Sequence, residues 1–184
     1  FQPLHRLMGT HLRAAARQAR EDGATHLIAW RHDGLPMAAD IQKLAETCQA
    51  HPDALVIGRR KPIPQTGWRQ RWFGRRLPRF WLKMQTGRQL RDPCCALRLY
   101  PLAVIENLHL YQRGRILGTE LLVKSAWAGV PFQEIAVETP YDGAGGEVLT
   151  LMGSVCQFLL NIHYALRSVL PVPHRKLVAD AGKS

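Results

Sequence analysis

The stretch between Thr86 and Pro101 brings one carboxylate together with several cations. Asp92 is its only acidic residue, and its arginines are Arg88, Arg91 and Arg98. An aspartate beside fixed guanidinium groups stays ionised and is held in position, which suits contact with a sugar hydroxyl or a metal ion. The structural alternative is that Asp92 caps a turn or pairs with Arg98, because such ion pairs are common in folded proteins.

Cations are also concentrated in the segment that leads into this stretch. The 184-residue chain has a formal net charge of +11, and the segment 59–91 contains 11 Lys and Arg residues and no Asp or Glu. Such a block attracts phosphate groups, whether on nucleic acid, on anionic lipid or on a phosphorylated substrate. Interleaved aromatic residues favour a binding surface over a solvated basic face; they are Trp68, Trp72, Phe73, Phe80 and Trp81.

The composition is that of a globular domain with one core, since 46% of the residues are hydrophobic. The four cysteines show neither metal-site spacing nor a disulfide framework, and we expect them to be reduced and structural; they are Cys48, Cys94, Cys95 and Cys156. The start at Phe1 does not resemble a secretory signal, and we expect the chain to be part of a longer one.

Apolar spacing predicts helices in the first part of the chain, short apolar runs predict two buried strands between and after them, and polar–apolar alternation predicts a further strand later. This alternation of helices and strands predicts an α/β domain over residues 1–147, with a mostly parallel sheet flanked by helices. The polar turn from Arg31 to Gly34 follows the first strand, where open α/β sheets bind their ligands. The predicted elements are helices at 10–20 and 39–50 and strands at 26–30, 53–58 and 132–139.

Later helices are predicted at 73–84, 102–110 and 118–128. The aromatic stripe of the first, interrupted at Pro78, favours core packing, with lipid contact at the surface as the alternative. The third places Glu120 among apolar residues, which costs free energy unless the carboxylate is paired or solvated. The alternative for Glu120 is a carboxylate favoured near a helix N-terminus by the dipole.

An amphipathic helix is predicted over 148–171, and a flexible tail follows at 172–184. The helix is nearly long enough to span a bilayer, but polar residues interrupt it, including Gln157, Asn161 and Arg167. We therefore expect it to lie on a membrane or on a partner. Packing against the domain itself is the alternative.

In order and spacing, four blocks of the chain resemble the membrane-associated family 2 glycosyltransferases, the group of dolichyl-phosphate mannosyltransferase. Residues 19–60 are similar to that family's helix, its strand ending in an Asp-x-Asp-Gly turn, its next helix and its strand ending in Gly-x-Arg. The stretch 86–101 is similar to its Thr-Gly, Asp and Gly-Phe-Arg-x-Tyr block. Residues 120–122 are similar to its Glu-Leu-Leu helix, and 128–141 to the strand that follows.

The resemblance, which covers about residues 9–170, implies a single Rossmann-like domain of the GT-A type. It implies an inverting enzyme that moves a sugar from a nucleotide-sugar donor to a polyprenyl phosphate or another lipid-linked acceptor. The protein would be peripheral on the cytoplasmic face of the membrane. The family's opening strand has no counterpart here, which predicts an N-terminally incomplete fold.

The resemblance also implies roles for single residues. Asp92 would be catalytic, near the acceptor and the reacting carbon, and Glu120 would orient other groups. The donor diphosphate would be contacted by Arg31, Asp33 and Arg60. The acceptor phosphate would be contacted by Arg88, Arg91 and Arg98.

The metal site departs from the family pattern. Arg31 stands where the family has the first aspartate, so Asp33 alone would hold Mg²⁺ or Mn²⁺, and hard cations prefer several oxygen ligands. Arg31 can instead contact the diphosphate directly. The alternative hypothesis is a non-catalytic relative that binds an anionic membrane or a partner. A third is nucleic-acid binding through 59–91, although no known nucleic-acid module surrounds that segment.

Overall fold

The computed structural model describes residues 8–30, 37–61, 76–110, 114–138 and 158–166. Within these ranges the chain is an α/β fold with one sheet. The strands are β1 (His26–Ala29), β2 (Leu55–Arg60), β3 (Arg98–Pro101) and β4 (Phe132–Val137). The helices are α1 (Met8–Glu21), α2 (Ala38–Ala50), α3 (Leu77–Thr86), α4 (Leu102–Asn107), α5 (Gly114–Trp127) and α6 (158–166).

The sheet is mixed, with the strand order β1-β3-β2-β4. β2 and β4 are parallel, and β3 is antiparallel to both of its neighbours, so that β1, β2 and β4 run in one direction. The α/β class is confirmed, but the strand pairs of the described sheet are not mostly parallel. The sequence did not predict β3, because its four residues have Arg98 and Pro101 at their ends and form neither an apolar run nor a polar–apolar alternation.

Alternate residues of the strands contribute to two apolar clusters, one on each face of the sheet. Leu44 of α2 packs on one face with Val56, Leu99 and Val137. The other cluster joins Leu55 and Ile57 to buried residues of α1 and of α3–α6, which are Ala16, Leu82, Leu102, Ile105, Leu117, Leu121, Leu122, Val123 and Tyr164. The sheet is therefore covered on both faces, which is typical of an α/β domain.

The predicted helices of the first part of the chain are found with small shifts at their ends. α3 begins with Pro78 in its first turn and ends at Gly87, whose φ of 70° is the left-handed conformation that favours glycine at a helix end. α4 ends at Asn107 instead of continuing to 110. Among the described helices, none has the length and apolarity needed to cross a bilayer.

Of the helix predicted over 148–171, the structure describes 158–166. Asn161 and Tyr164 are buried, and this side of α6 faces α3 and α5. Gln85 Nε2 of α3 donates to Asn161 O at 3.0 Å, and the rings of Trp127 and Tyr164 meet edge to face at 5.5 Å. The predicted tail at 172–184 lies outside the described ranges.

Candidate functional site

An ion pair lies where the carboxyl ends of the parallel strands meet. Arg60, the last residue of β2, donates from Nε to Asp92 Oδ2 at 2.7 Å and from Nη2 to Asp92 Oδ1 at 2.9 Å. The side chains are 14% and 2% exposed. Burial acts to lower the pKa of Arg60, but the hydrogen bonds and charge of Asp92 outweigh it and raise the pKa above its usual value. The two side chains form a bidentate ion pair.

The Asp92 carboxylate also extends the hydrogen bonding between β2 and β3. The backbone N of Gly58 donates to Leu97 O at 2.9 Å, and that of Arg60 donates to Asp92 Oδ2 at 3.2 Å. Alternate N–H groups of a strand point to the same side, so the carboxylate takes the place of the next carbonyl on the β3 side. Asp92 is thus fixed to the backbone of β2 as well as to the Arg60 side chain.

The loop before β3 can approach β2 because residue 58 is glycine. A Cβ atom there would lie 3.0 Å from Cys95 Sγ, 3.1 Å from Leu97 O and 3.2 Å from a Val137 methyl group. These distances are shorter than ordinary van der Waals contacts. Gly58 therefore allows the close passage that brings Asp92 over the end of β2.

Glu134 of β4 holds the same loop from the other side. Its Oε1 accepts from the backbone N of Arg91 at 2.7 Å and from that of Asp92 at 3.1 Å. Sequence reasoning missed this residue. The available indication was an acid in a strand that is mostly apolar, since a carboxylate placed there needs donors.

Arg98 holds the turn that follows Asp92. It is 6% exposed, and it donates from Nε to Cys95 O at 2.8 Å, from Nη2 to Pro93 O at 2.7 Å and from Nη1 to Gly118 O of α5 at 3.0 Å. These bonds fasten the turn to α5. The acceptor-phosphate role predicted for Arg98 would require these donors to leave their carbonyl partners, and it stays a prediction.

The other two arginines of this stretch lie in different places. The Arg88 guanidinium stacks on the Phe132 ring, 5.1 Å from its centroid, at the start of β4. The Arg60–Asp92 pair lies toward the other end of that strand, since Arg60 is in register with Val137. Arg91 is exposed and directly precedes Asp92. Arg91 is therefore an exposed arginine next to the Arg60–Asp92 pair, whereas Arg88 lies farther from that pair.

Glu120 is fully buried in α5 and accepts from Lys124 Nζ at 2.6 Å. Lys124 Nζ also donates to His109 O, in the segment after α4. Of the possibilities that the sequence left open for Glu120, the structure shows the paired one, and its orienting role stays a prediction. Lys124 therefore links α5 to that segment. The Glu120–Lys124 pair thus helps to position α5, whose Gly118 carbonyl accepts from Arg98.

A second polar group at the same edge was also missed from the sequence. Asp40, fully buried in the first turn of α2, accepts from the Glu138 backbone N with both carboxylate oxygens, at 3.0 and 3.1 Å. Lys61 Nζ donates to Glu138 Oε1 at 2.9 Å. This bond raises the pKa of Lys61 and lowers that of Glu138. Charges of both signs therefore follow β2 and β4.

The carboxylates of Asp92 and Asp40 at this edge are engaged by protein donors. Each oxygen of Asp92 and of Asp40 already accepts from at least one donor. Within the described ranges, no group of three or more His, Cys, Asp or Glu residues has the arrangement of a metal site. Arg31 and Asp33 lie outside these ranges, so the prediction of Mg²⁺ or Mn²⁺ rests on the sequence alone.

No protein-family model matches the chain, and no curated protein matches it either. The resemblance to glycosyltransferases therefore depends on the motifs quoted above.

Proposed function

We propose that the chain is part of an inverting family 2 glycosyltransferase with a GT-A-type domain. It would transfer a sugar from a nucleotide-sugar donor to a polyprenyl phosphate or another lipid-linked acceptor, at the cytoplasmic surface of a membrane. The observation that supports this most is the position of the Arg60–Asp92 pair. It lies at the carboxyl ends of β2 and β4, which run in the same direction as β1, and open α/β sheets bind ligands at this edge.

Direct displacement at an anomeric carbon needs two kinds of group. Positive charge must stabilise the departing nucleoside diphosphate, and a base must take the proton of an acceptor hydroxyl. Arg60, together with Arg31, is proposed to supply the charge, and Asp92 the base. A phosphate acceptor arrives already ionised, so it would depend instead on the exposed cation Arg91.

The geometry suggests how Asp92 would become available to a substrate. Its carboxylate is 1% exposed and bonded to the Arg60 fork. A diphosphate offers the same fork a bidentate partner with more charge. We therefore propose that donor binding draws the Arg60 guanidinium away from Asp92 and frees the carboxylate. Asp33 is the carboxylate left for a metal ion, and no step is assigned to that ion.

The test is sugar transfer by the whole protein, measured with a panel of labelled nucleotide sugars and with two acceptors in vesicles, which are polyprenyl phosphate and a lipid-linked sugar that offers a hydroxyl group. With the hydroxyl acceptor, Asp92→Asn is expected to lower kcat by about 100-fold or more, the usual loss for a catalytic base. Asp53→Asn, at an exposed aspartate in the turn before β2, is the matched control and should keep full activity. Undiminished transfer by the folded Asp92→Asn protein would remove Asp92 from the mechanism.

A second candidate function is favoured by the same pair. A carboxylate with every oxygen bonded and 1% exposure is also typical of an ion pair that only stabilises a fold. The protein would then be a non-catalytic relative that binds an anionic membrane or a partner. Calorimetric titration of the folded protein with nucleotide sugars and Mg²⁺ or Mn²⁺ distinguishes the two, since a silent titration favours the non-catalytic protein. Nucleic-acid binding remains the third hypothesis, and it predicts an affinity for nucleic acid that falls steeply as the salt concentration rises.

A further inference from the structure

Helices α3 and α6 share an exposed aromatic surface. Phe80 and Met84 of α3 are 57% and 45% exposed and lie one turn apart on the same side of the helix. The Trp81 ring meets the Phe80 ring edge to face at 5.7 Å and the Phe158 ring of α6 at 5.9 Å. Phe158 is itself 52% exposed. The aromatic surface thus runs without interruption from one helix to the other.

The outer side of α6 is mostly apolar as well, with the exposed His163 as its polar residue. Leu159 and Leu166 are seven residues apart, on the same side of the helix, and they are 58% and 62% exposed. The opposite side holds the buried Asn161 and Tyr164, which face α3 and α5. A helix that only packs against its own domain has the reverse pattern, with polar residues outside. The outer side of α6 is therefore suited to contact with an apolar environment outside the domain.

Cations border this surface on the α3 side. Arg76 and Lys83 are exposed and lie four residues before and three residues after Phe80, on its side of the helix. The sequence has no Asp or Glu from 76 to 91 or from 158 to 166. The surface made by Phe80, Met84, Phe158, Leu159 and Leu166, with its bordering cations, is called the α3–α6 face below.

We propose that the α3–α6 face lies on an anionic lipid bilayer. Exposed aromatic and aliphatic side chains enter the boundary between headgroups and acyl chains, while Arg and Lys on the border contact lipid phosphates. Because neither helix has an acidic residue, the bordering cations favour a negatively charged surface over a neutral or basic one. The proposed function explains why the chain would need a membrane, but the face itself is argued from exposure and charge.

Vesicle co-sedimentation of the full chain tests this inference. We expect binding to vesicles of phosphatidylcholine with phosphatidylglycerol and little binding to phosphatidylcholine alone. Arg76→Gln and Lys83→Gln should each weaken binding about five-fold, the usual effect of one cation near an anionic surface. The double variant Phe80→Ser/Leu159→Ser should lose at least about ten-fold through the lost insertion of two apolar side chains.

The matched control is Met37→Ser/Ile41→Ser, at two apolar residues of the α2 region that are 50% and 37% exposed. It should bind vesicles like the original chain. Equal binding to both vesicle types, equal losses in the control, or dimers that Phe80→Ser/Leu159→Ser dissociates would each overturn the proposal. If the protein binds vesicles but transfers no sugar, the membrane role of the α3–α6 face is supported and the transferase proposal is contradicted. If it transfers sugar but does not bind vesicles, the transferase proposal is supported and the membrane role of the face is contradicted.

Discussion

Two regions formed from the same cationic part of the chain differ in how they place their charges. At the sheet edge, Arg60 is mostly buried and bonded to Asp92, and Glu134 fixes the backbone of the loop that holds this aspartate. On the α3–α6 face, Arg76 and Lys83 lie at the surface beside exposed aromatic rings. The number of cations is thus a poor guide to their role, and the nearest carboxylate and the degree of burial decide it.

The difference has an energetic consequence. A buried charge that loses its partner costs several kcal/mol, whereas an exposed charge is stabilised by water and screened by salt. Changes at the edge should therefore alter the stability of the fold, and changes on the face should alter what the fold binds. The predictions below test this separation.

The largest expected effect is that of Asp92→Ala. It leaves the Arg60 guanidinium, 14% exposed, without its bidentate partner. We expect a loss of about 3–5 kcal/mol in the free energy of unfolding, measured by urea denaturation. The exposed Asp53→Ala is the control, with a change within about 0.5 kcal/mol. A similarly small change for Asp92→Ala would mean that the pair contributes no stability and that the two regions do not differ in this respect.

A smaller effect is expected at Glu134. Glu134→Ala removes the acceptor of two backbone N–H groups, one exposed and one half-buried, which should cost about 0.5–1.5 kcal/mol because water can replace part of the lost bonding. Glu134→Gln keeps an acceptor oxygen and should lose less than half as much. Amide hydrogen exchange of Arg91 and Asp92, followed by NMR, should accelerate in the alanine variant. Unchanged exchange there would show that other groups hold the loop.

The sequence predicted the parts of the fold that have a clear period. The helices α1 and α2 and the strands β1, β2 and β4 follow from apolar spacing alone. β3 does not, because it has four residues with Arg98 and Pro101 at its ends and so forms no apolar run, and its antiparallel direction is set by contacts with β1 and β2. The predicted mostly parallel sheet assumed that every strand follows a helix in the same direction, and β3 departs from that assumption.

From the sequence, the types of residue in the site could be predicted, but their partners could not. The sequence indicated that Asp92 pairs with an arginine, but Arg98 was nearer in sequence than Arg60, which is 32 residues away. A pair across such a separation depends on the register of β2 against the loop, which no local pattern contains. For the same reason Glu134 and Asp40, whose donors are backbone groups of distant segments, were not found.

On the α3–α6 face, Phe80→Ser should leave stability almost unchanged. The ring is 57% exposed, so its removal should change the free energy of unfolding by no more than about 0.5 kcal/mol. Leu82→Ala, two residues further along α3 at a side chain 3% exposed, is the matched comparison and should cost about 2–5 kcal/mol. Equal losses for both variants in urea denaturation would indicate that Phe80 belongs to the core.

The smallest effect is expected for the exposed Lys61–Glu138 pair, whose side chains are 73% and 54% exposed. The hydrogen bond lowers the pKa of Glu138 from its ordinary 4.5 and raises that of Lys61 from 10.5. The Glu138 contribution is therefore present above pH 4.5 and is lost as the pH falls through the lowered value, while the Lys61 contribution is lost as the pH rises through the raised value. Glu138→Gln should thus reduce stability slightly at neutral pH and not at all in strong acid, and 1 M salt should abolish the difference. A salt-resistant loss would place this pair with the buried Arg60–Asp92 pair.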